Sequence, residues 1–190
     1  MTGAAAEGAR LVRLMRELAI VQRGDPILTR RDLAPFDLPA EIAEAQAAVA
    51  ALTHKADEIT RRYNFHGRGM GLAAPQIGLA RRVALVRPPR RADQIVLLNP
   101  LVVDRGPDLP AEFFEGCLSF FGVRGRVPRP GWIVIEHDSP RGISQRSAFD
   151  GLTARLLTHE LDHLDGILYP ERMPATERLV PVEEYRRMDY

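Results

Sequence analysis

The stretch from Gly151 to Gly166 constrains this chain more than any other, because at helical spacing it presents two inward faces rather than one. Leu152, Leu156, His159 and His163 follow one another by four, three and four residues and make the first stripe. Leu157, Leu161, Leu164 and Leu168 make the second, its last member lying just past Gly166, a good helix terminator. A helix with this pattern packs one stripe on a sheet and turns the other toward a cavity.

The rest of the chain supplies the partners. Gly24-Asp25-Pro26 reads as a turn. A long helix is expected over about 40–63, where Ile42, Val49, Leu52, Ala56 and Ile59 recur at helical spacing and Pro39 fits the first turn. Short strands are expected over 83–86, 95–98 and 101–103, broken by Pro88-Pro89 and Asn99-Pro100. Arg90 and Arg91 read as solvated charge in a proline-bounded loop. Segments 132–136 and 143–149 form a hairpin about Asp138-Ser139-Pro140-Arg141-Gly142. The expected fold class is α+β, with short mixed or antiparallel strands around the central helix and a long helix toward the N-terminus.

A chain of 190 residues suits one domain. It divides into an extension over 1–19, with a short basic amphipathic helix from Arg10 to Leu18, a body over 20–173 and a polar, partly mobile tail over 174–190. The formal net charge of +1 gives no electrostatic case for membrane or sequence-specific nucleic-acid binding. No apolar run is long enough to span a bilayer, and residues 1–19 lack the apolar core of a secretory signal. The single cysteine, Cys117, forms no internal disulfide. The expected compartment is the cytoplasm, and nothing in the sequence speaks to oligomeric state.

His159-Glu160-Leu161-Asp162-His163 is a His-Glu-x-x-His motif. Residues four apart share a helix face, so His159 and His163 can grip one ion, and Glu160 projects beside it to act on water there. Such a centre needs a third protein ligand. Downstream of His163 the candidates are Asp165, Glu171, Glu177, Glu183, Glu184 and Asp189, none in a distinctive setting. Cys117 has one, in Glu115-Gly116-Cys117-Leu118-Ser119. A thiol beside a cation ligates as the anion.

Three separated motifs together resemble the peptide deformylase family: Gly69-Met70-Gly71-Leu72-Ala73-Ala74-Pro75-Gln76, Glu115-Gly116-Cys117-Leu118-Ser119 and His159-Glu160-Leu161-Asp162-His163. The resemblance runs from Ile20 to Met173. It implies one metal ion held by Cys117, His159 and His163, usually Fe(II), with zinc, nickel or cobalt able to substitute. It further implies hydrolysis of the formyl group from N-formylmethionyl peptides emerging from the ribosome. Glu160 would handle the proton. The Leu118 backbone N–H and the Gln76 amide would bind the oxyanion. Gly69, Met70 and Gly71 would offer an open backbone to which an extended peptide adds as a strand.

Met70, Leu152 and Leu156 are candidates for the methionine slot, the two leucines because they lie on the histidine stripe. Arg124 matches a family position near the peptide's exit. Arg129 and Asp162 are expected to brace the metal helix as an ion pair. One departure is Phe120-Phe121-Gly122, two aromatics where the family has a small aliphatic residue and proline. It bears on the shape of the substrate entrance. The alternatives are a His-Glu-x-x-His metallopeptidase with another third ligand, and a noncatalytic peptide-binding homologue.

Overall fold

The computed structural model describes residues 5–65, 67–89 and 93–188, so Arg90, Arg91 and Asp189 lie outside the described residues. Its spine is a five-stranded antiparallel sheet of β1 (Met70–Ala73), β2 (Val83–Arg87), β3 (Ile95–Arg105), β8 (Trp132–Asp138) and β9 (Ser144–Asp150), in that order. Alternation along the strands sends successive side chains to opposite faces. Leu72, Val83, Leu85 and Leu98 meet Leu52, Ala56 and Ile59 of α2 (Ile42–Arg62) on one face. Val86, Leu97, Ile133 and Ile135 meet Ala154, Leu157 and Leu161 of α3 (Gly151–Leu164) on the other. Leu157, Leu161 and Leu164 of the second stripe therefore pack on the sheet, as their spacing predicts, while Leu168 joins Leu28, Phe120 and Tyr169 around Cys117. Gly166 ends the helix at φ +68°, and a Cβ there would come within 2.5 Å of the Arg30 carbonyl oxygen.

The hairpin forms as expected, Trp132 pairing with Asp150 and Asp138 with Ser144. The strand expected to break at Asn99-Pro100 does not break. β3 runs through it with a register shift between Leu98 and Leu101 in its pairing with β8. Asn99 takes φ +48°, which asparagine tolerates. Its amide replaces the missing ladder bonds, accepting from the Phe36 N–H (2.7 Å) and donating to the Phe36 carbonyl and to Asp138 (3.0 Å each).

Smaller strands flank this spine. β4 (Asp108–Leu109) pairs with β7 (Arg129–Pro130), while β5 (Phe114–Glu115) and β10 (Val180–Pro181) lie either side of β6 (Val123–Arg126). The pairing of β10 with β6 ties the C-terminal segment to the body. It continues into the four-residue α4 (Val182–Tyr185). Glu183 accepts from the Gly8 N–H, and Arg186 pairs with Glu7. Both partners belong to α1 (Ala5–Glu17).

That first helix is no loose extension. Leu11, Met15 and Leu18 are fully buried in the cluster that holds α2, Leu118 and Phe121, and Lys55 donates to the Leu18 carbonyl (2.8 Å). Met15→Ala is expected to cost about 2–5 kcal/mol of unfolding free energy, read from urea denaturation. A cost near zero would mean that the helix is dispensable.

Candidate metal centre

Cys117, His159 and His163 are all buried, and one donor atom from each lies within 4.8 Å of the others. Among the described residues this is the only such group of three, so none of the described downstream acids joins the two histidines. His163 Nε2 stands 3.2 Å from Cys117 Sγ. His159 Nδ1 meets Glu115 Oε2 at 2.9 Å, which fixes its tautomer and leaves Nε2 for the cluster.

The electrostatics suit a cation. Burial would raise the Cys117 thiol, but the His163 and His159 rings outweigh it and bring the thiol down to about 5. Burial would lower His159, yet the Cys117 sulfur and the Glu115 carboxylate hold it well above the usual imidazole range. Negative groups thus crowd the ring from both sides, and one sulfur with two nitrogens is a donor set that divalent transition metals accept.

Glu115 is the functional residue that the sequence reading passes over. It sits two residues before Cys117, reaches His159, and takes a two-pronged bond from Arg129 (Nε 3.0 Å, Nη2 2.9 Å). Arg155 Nε adds an ion pair at 3.1 Å without hydrogen-bond alignment. Burial would favour the neutral acid, but Arg129 and His159 pull Glu115 down to about 2. The expected pair of Arg129 and Asp162 is present, and Asp162 also accepts from Arg172 (2.8 Å). This buried chain of charges is satisfied at both ends, so it braces α3 instead of penalising it. A signal did exist, since a ligating histidine almost always has a carboxylate or carbonyl behind it.

Glu160 is buried beside the cluster, and its Oε2 has no hydrogen-bond partner. Burial pushes its carboxyl up to about 7, against the pull of His159 and His163. A Cβ on Gly71 would fall 2.2 Å from Glu160 Oε1. Gly71 therefore seats the carboxylate, a duty more specific than leaving the strand open. Gly69, at φ +77°, lies against the Arg87 carbonyl and Leu156. Gln76 accepts from the Ala73 N–H (2.9 Å) and directs its Nε2 at Cys117 Sγ (3.6 Å) and Ser119 Oγ (3.3 Å). Leu118 opens the short turn that follows Cys117.

The outlying expectations fare differently. The Met70 side chain points into the α2 core, 3.6 Å from Thr60 Oγ1, so only its backbone faces outward on the edge strand β1. Leu156 stays near Gly69, but Leu152 is 52% exposed on the first turn of α3, a turn too early to reach the cluster. Arg124 folds inward, donating to the Phe121 and Val123 carbonyls (2.8 Å each) and stacking over the Phe121 ring. Phe120 and Phe121 are both core residues. Phe120 stacks on Tyr169 (4.9 Å), whose ring lies 5.8 Å from His159, and Phe121 meets Tyr63 edge-on.

Comparison with known proteins points the same way. The sequence model of the polypeptide deformylase family matches residues 17–179. A peptide deformylase of Roseiflexus castenholzii is 40% identical over 120 residues, a stretch covering 55% of this chain and 64% of that protein. One from Desulforudis audaxviator is 36% identical over 159 residues, covering 83% of this chain and 94% of its own length. Among solved structures, the class I type b peptide deformylase of Acinetobacter baumannii bound to Met-Ala-Ser superposes with a TM-score of 0.69 at 28% identity, covering 81% of this chain and 96% of that one. The Thermus thermophilus peptide deformylase superposes with a TM-score of 0.64 at 34% identity, covering 82% and 85%.

Proposed function

Because this chain belongs to the peptide deformylase family, we propose that it hydrolyses the formyl group from the N-terminal formylmethionine of new polypeptides and releases formate. The observation that carries this reading is the buried Cys117, His159 and His163 cluster with Glu160 and Gln76 turned toward it. Cys117, His159 and His163 would hold a divalent ion, Fe(II) by family resemblance, and it would supply Lewis acidity to water and to the formyl oxygen.

The chain's own residues do the rest. Glu160, held near pH 7, accepts the proton of the attacking water and delivers it to the departing amine. Gln76 Nε2 and the Leu118 N–H receive the developing oxyanion. Glu115 keeps the His159 ring oriented. The free edge of β1 takes the peptide backbone as an added strand, which binds many sequences alike. Substrates are peptides leaving the ribosome, and the compartment is the cytoplasm. No helix of the described residues is long and apolar enough to cross a membrane.

The test is formate release from formyl-Met-Ala-Ser by metal-loaded protein prepared without oxygen. Turnover is expected, and a folded, metal-loaded sample that releases nothing overturns the reading. In the same assay Gly71→Ala is expected to lower kcat about a hundredfold through displacement of the Glu160 carboxylate. Its thermal midpoint should fall as well, since the added Cβ also comes within 2.6 Å of the Glu160 Cγ and Cδ in a buried site.

A further inference from the structure

The two donors proposed for the oxyanion sit on different backbones, Gln76 in the turn after β1 and Leu118 in the turn after Cys117. One short stretch of chain, residues 20–23, is bonded to both. The Val21 N–H donates to the Gln76 carbonyl (2.9 Å), and the Arg23 N–H donates to the Ser119 carbonyl (2.8 Å). Between them the half-buried Gln22 side chain turns inward. Its Nε2 donates to the Leu118 carbonyl (3.3 Å) and to the Ile20 carbonyl (2.9 Å). The stretch is itself fastened at its start, where the buried Ile20 donates its N–H to the Met15 carbonyl of α1 (2.9 Å). At its far end Arg23 lies over the Phe120 ring at 5.5 Å.

The turn that these bonds reach is closed by one bond of its own, from the Phe120 N–H to the Cys117 carbonyl (3.2 Å). Its central peptide joins Leu118 to Ser119, and the central peptide is the one whose rotation converts one type of β-turn into another. Rotation here would re-aim the Leu118 carbonyl and shift Ser119, whose Oγ accepts from Gln76 Nε2 (3.3 Å). Gln22 grips the carbonyl of that peptide.

We propose that Gln22 is a positioning residue for the oxyanion pocket: it fixes the central peptide of the 117–120 turn and so keeps the Leu118 N–H and the Gln76 amide aimed at one point. This rests on the deformylase reading given above. In this role Gln22 touches neither substrate nor ion. Donors stabilise developing charge best when they are already aimed at it, so a turn free to sample a second geometry costs rate and not substrate affinity.

The experiment uses the metal-loaded full chain with Gln22→Met, which keeps the length of the side chain and loses its donor, and Gln22→Glu, which keeps its shape and turns oxygens toward both carbonyls. With formyl-Met-Ala-Ser, kcat is expected to fall about tenfold in both, with KM within about twofold of the parent and metal per chain unchanged. The Gln22→Met change is then made on Gln76→Ala. With the amide that it aligns already gone, the further loss should shrink to about threefold or less. The full tenfold loss in that background marks general structural damage and overturns the proposal. So does a kcat within about twofold of the parent in both single variants.

Hydrogen exchange without substrate gives a second arm. The Phe120 amide, which closes the turn, should exchange about tenfold faster in Gln22→Met, while the amides of α3 keep the parent's rate. Unchanged exchange at Phe120 overturns the proposal even where formate release has slowed. Should the parent release no formate, the deformylase reading fails, and this arm still decides whether Gln22 holds the turn.

Discussion

Cys117→Ala is expected to strip the protein of its metal and to reduce formate release to background. The reason lies in how the site is assembled. His159 and His163 are held on one rigid helix, but two imidazoles alone bind a divalent ion weakly, and the thiolate is the only anionic donor in the cluster. The fold should survive the change. Cys117 sits at the start of a short turn, packed with Leu28, Phe120 and Tyr169, and loss of one sulfur from that cluster is a small cavity. The measurement is metal per chain by elemental analysis on dialysed protein, with circular dichroism as the folding control. A variant that keeps one tightly held ion per chain would mean that another side chain completes the site.

Glu160→Gln separates binding from chemistry. The amide is nearly isosteric with the acid, so the seat against Gly71 and the packing of α3 persist. Metal content should therefore match the parent. What is lost is the proton acceptor, and kcat is expected to fall by about 10²- to 10⁴-fold with little change in KM. Activity within threefold of the parent would remove Glu160 from the mechanism. Together the two variants divide the site, since one loses ion and turnover and the other turnover alone.

Much of this was legible in the sequence, for reasons that can be named. The two stripes of α3 are a periodic signal carried by residues that are either strongly apolar or strongly polar, so the helix, its sheet-packing face and the His159–His163 pair could all be read. The long helix begins within two residues of its expected start, because Ile42, Val49, Leu52, Ala56 and Ile59 recur at helical spacing. The features that escaped depend on contacts across the chain. Asn99-Pro100 looks like a strand breaker, and only the distant Phe36 and Asp138 show how the asparagine side chain stands in for the ladder. The first helix looks like an appendage because its partners, α2 and the turn at Leu118, lie far along the chain. Spacing alone puts Leu152 on the histidine stripe, but a stripe says nothing of where the cavity ends.

The sheet has two unpaired borders, and they are built to opposite ends. The outer border, β9, reads Ser-Gln-Arg-Ser-Ala-Phe-Asp and is largely exposed, with a charge at Arg146 that discourages a neighbouring molecule from stacking on it. The other border, β1, is four residues long and is flanked by α3, so a second copy finds too little backbone for lasting edge-to-edge association. Under the proposed function, an edge left open to peptides in this way avoids seeding aggregation. Lengthening β1 or neutralising Arg146 would trade that safety away.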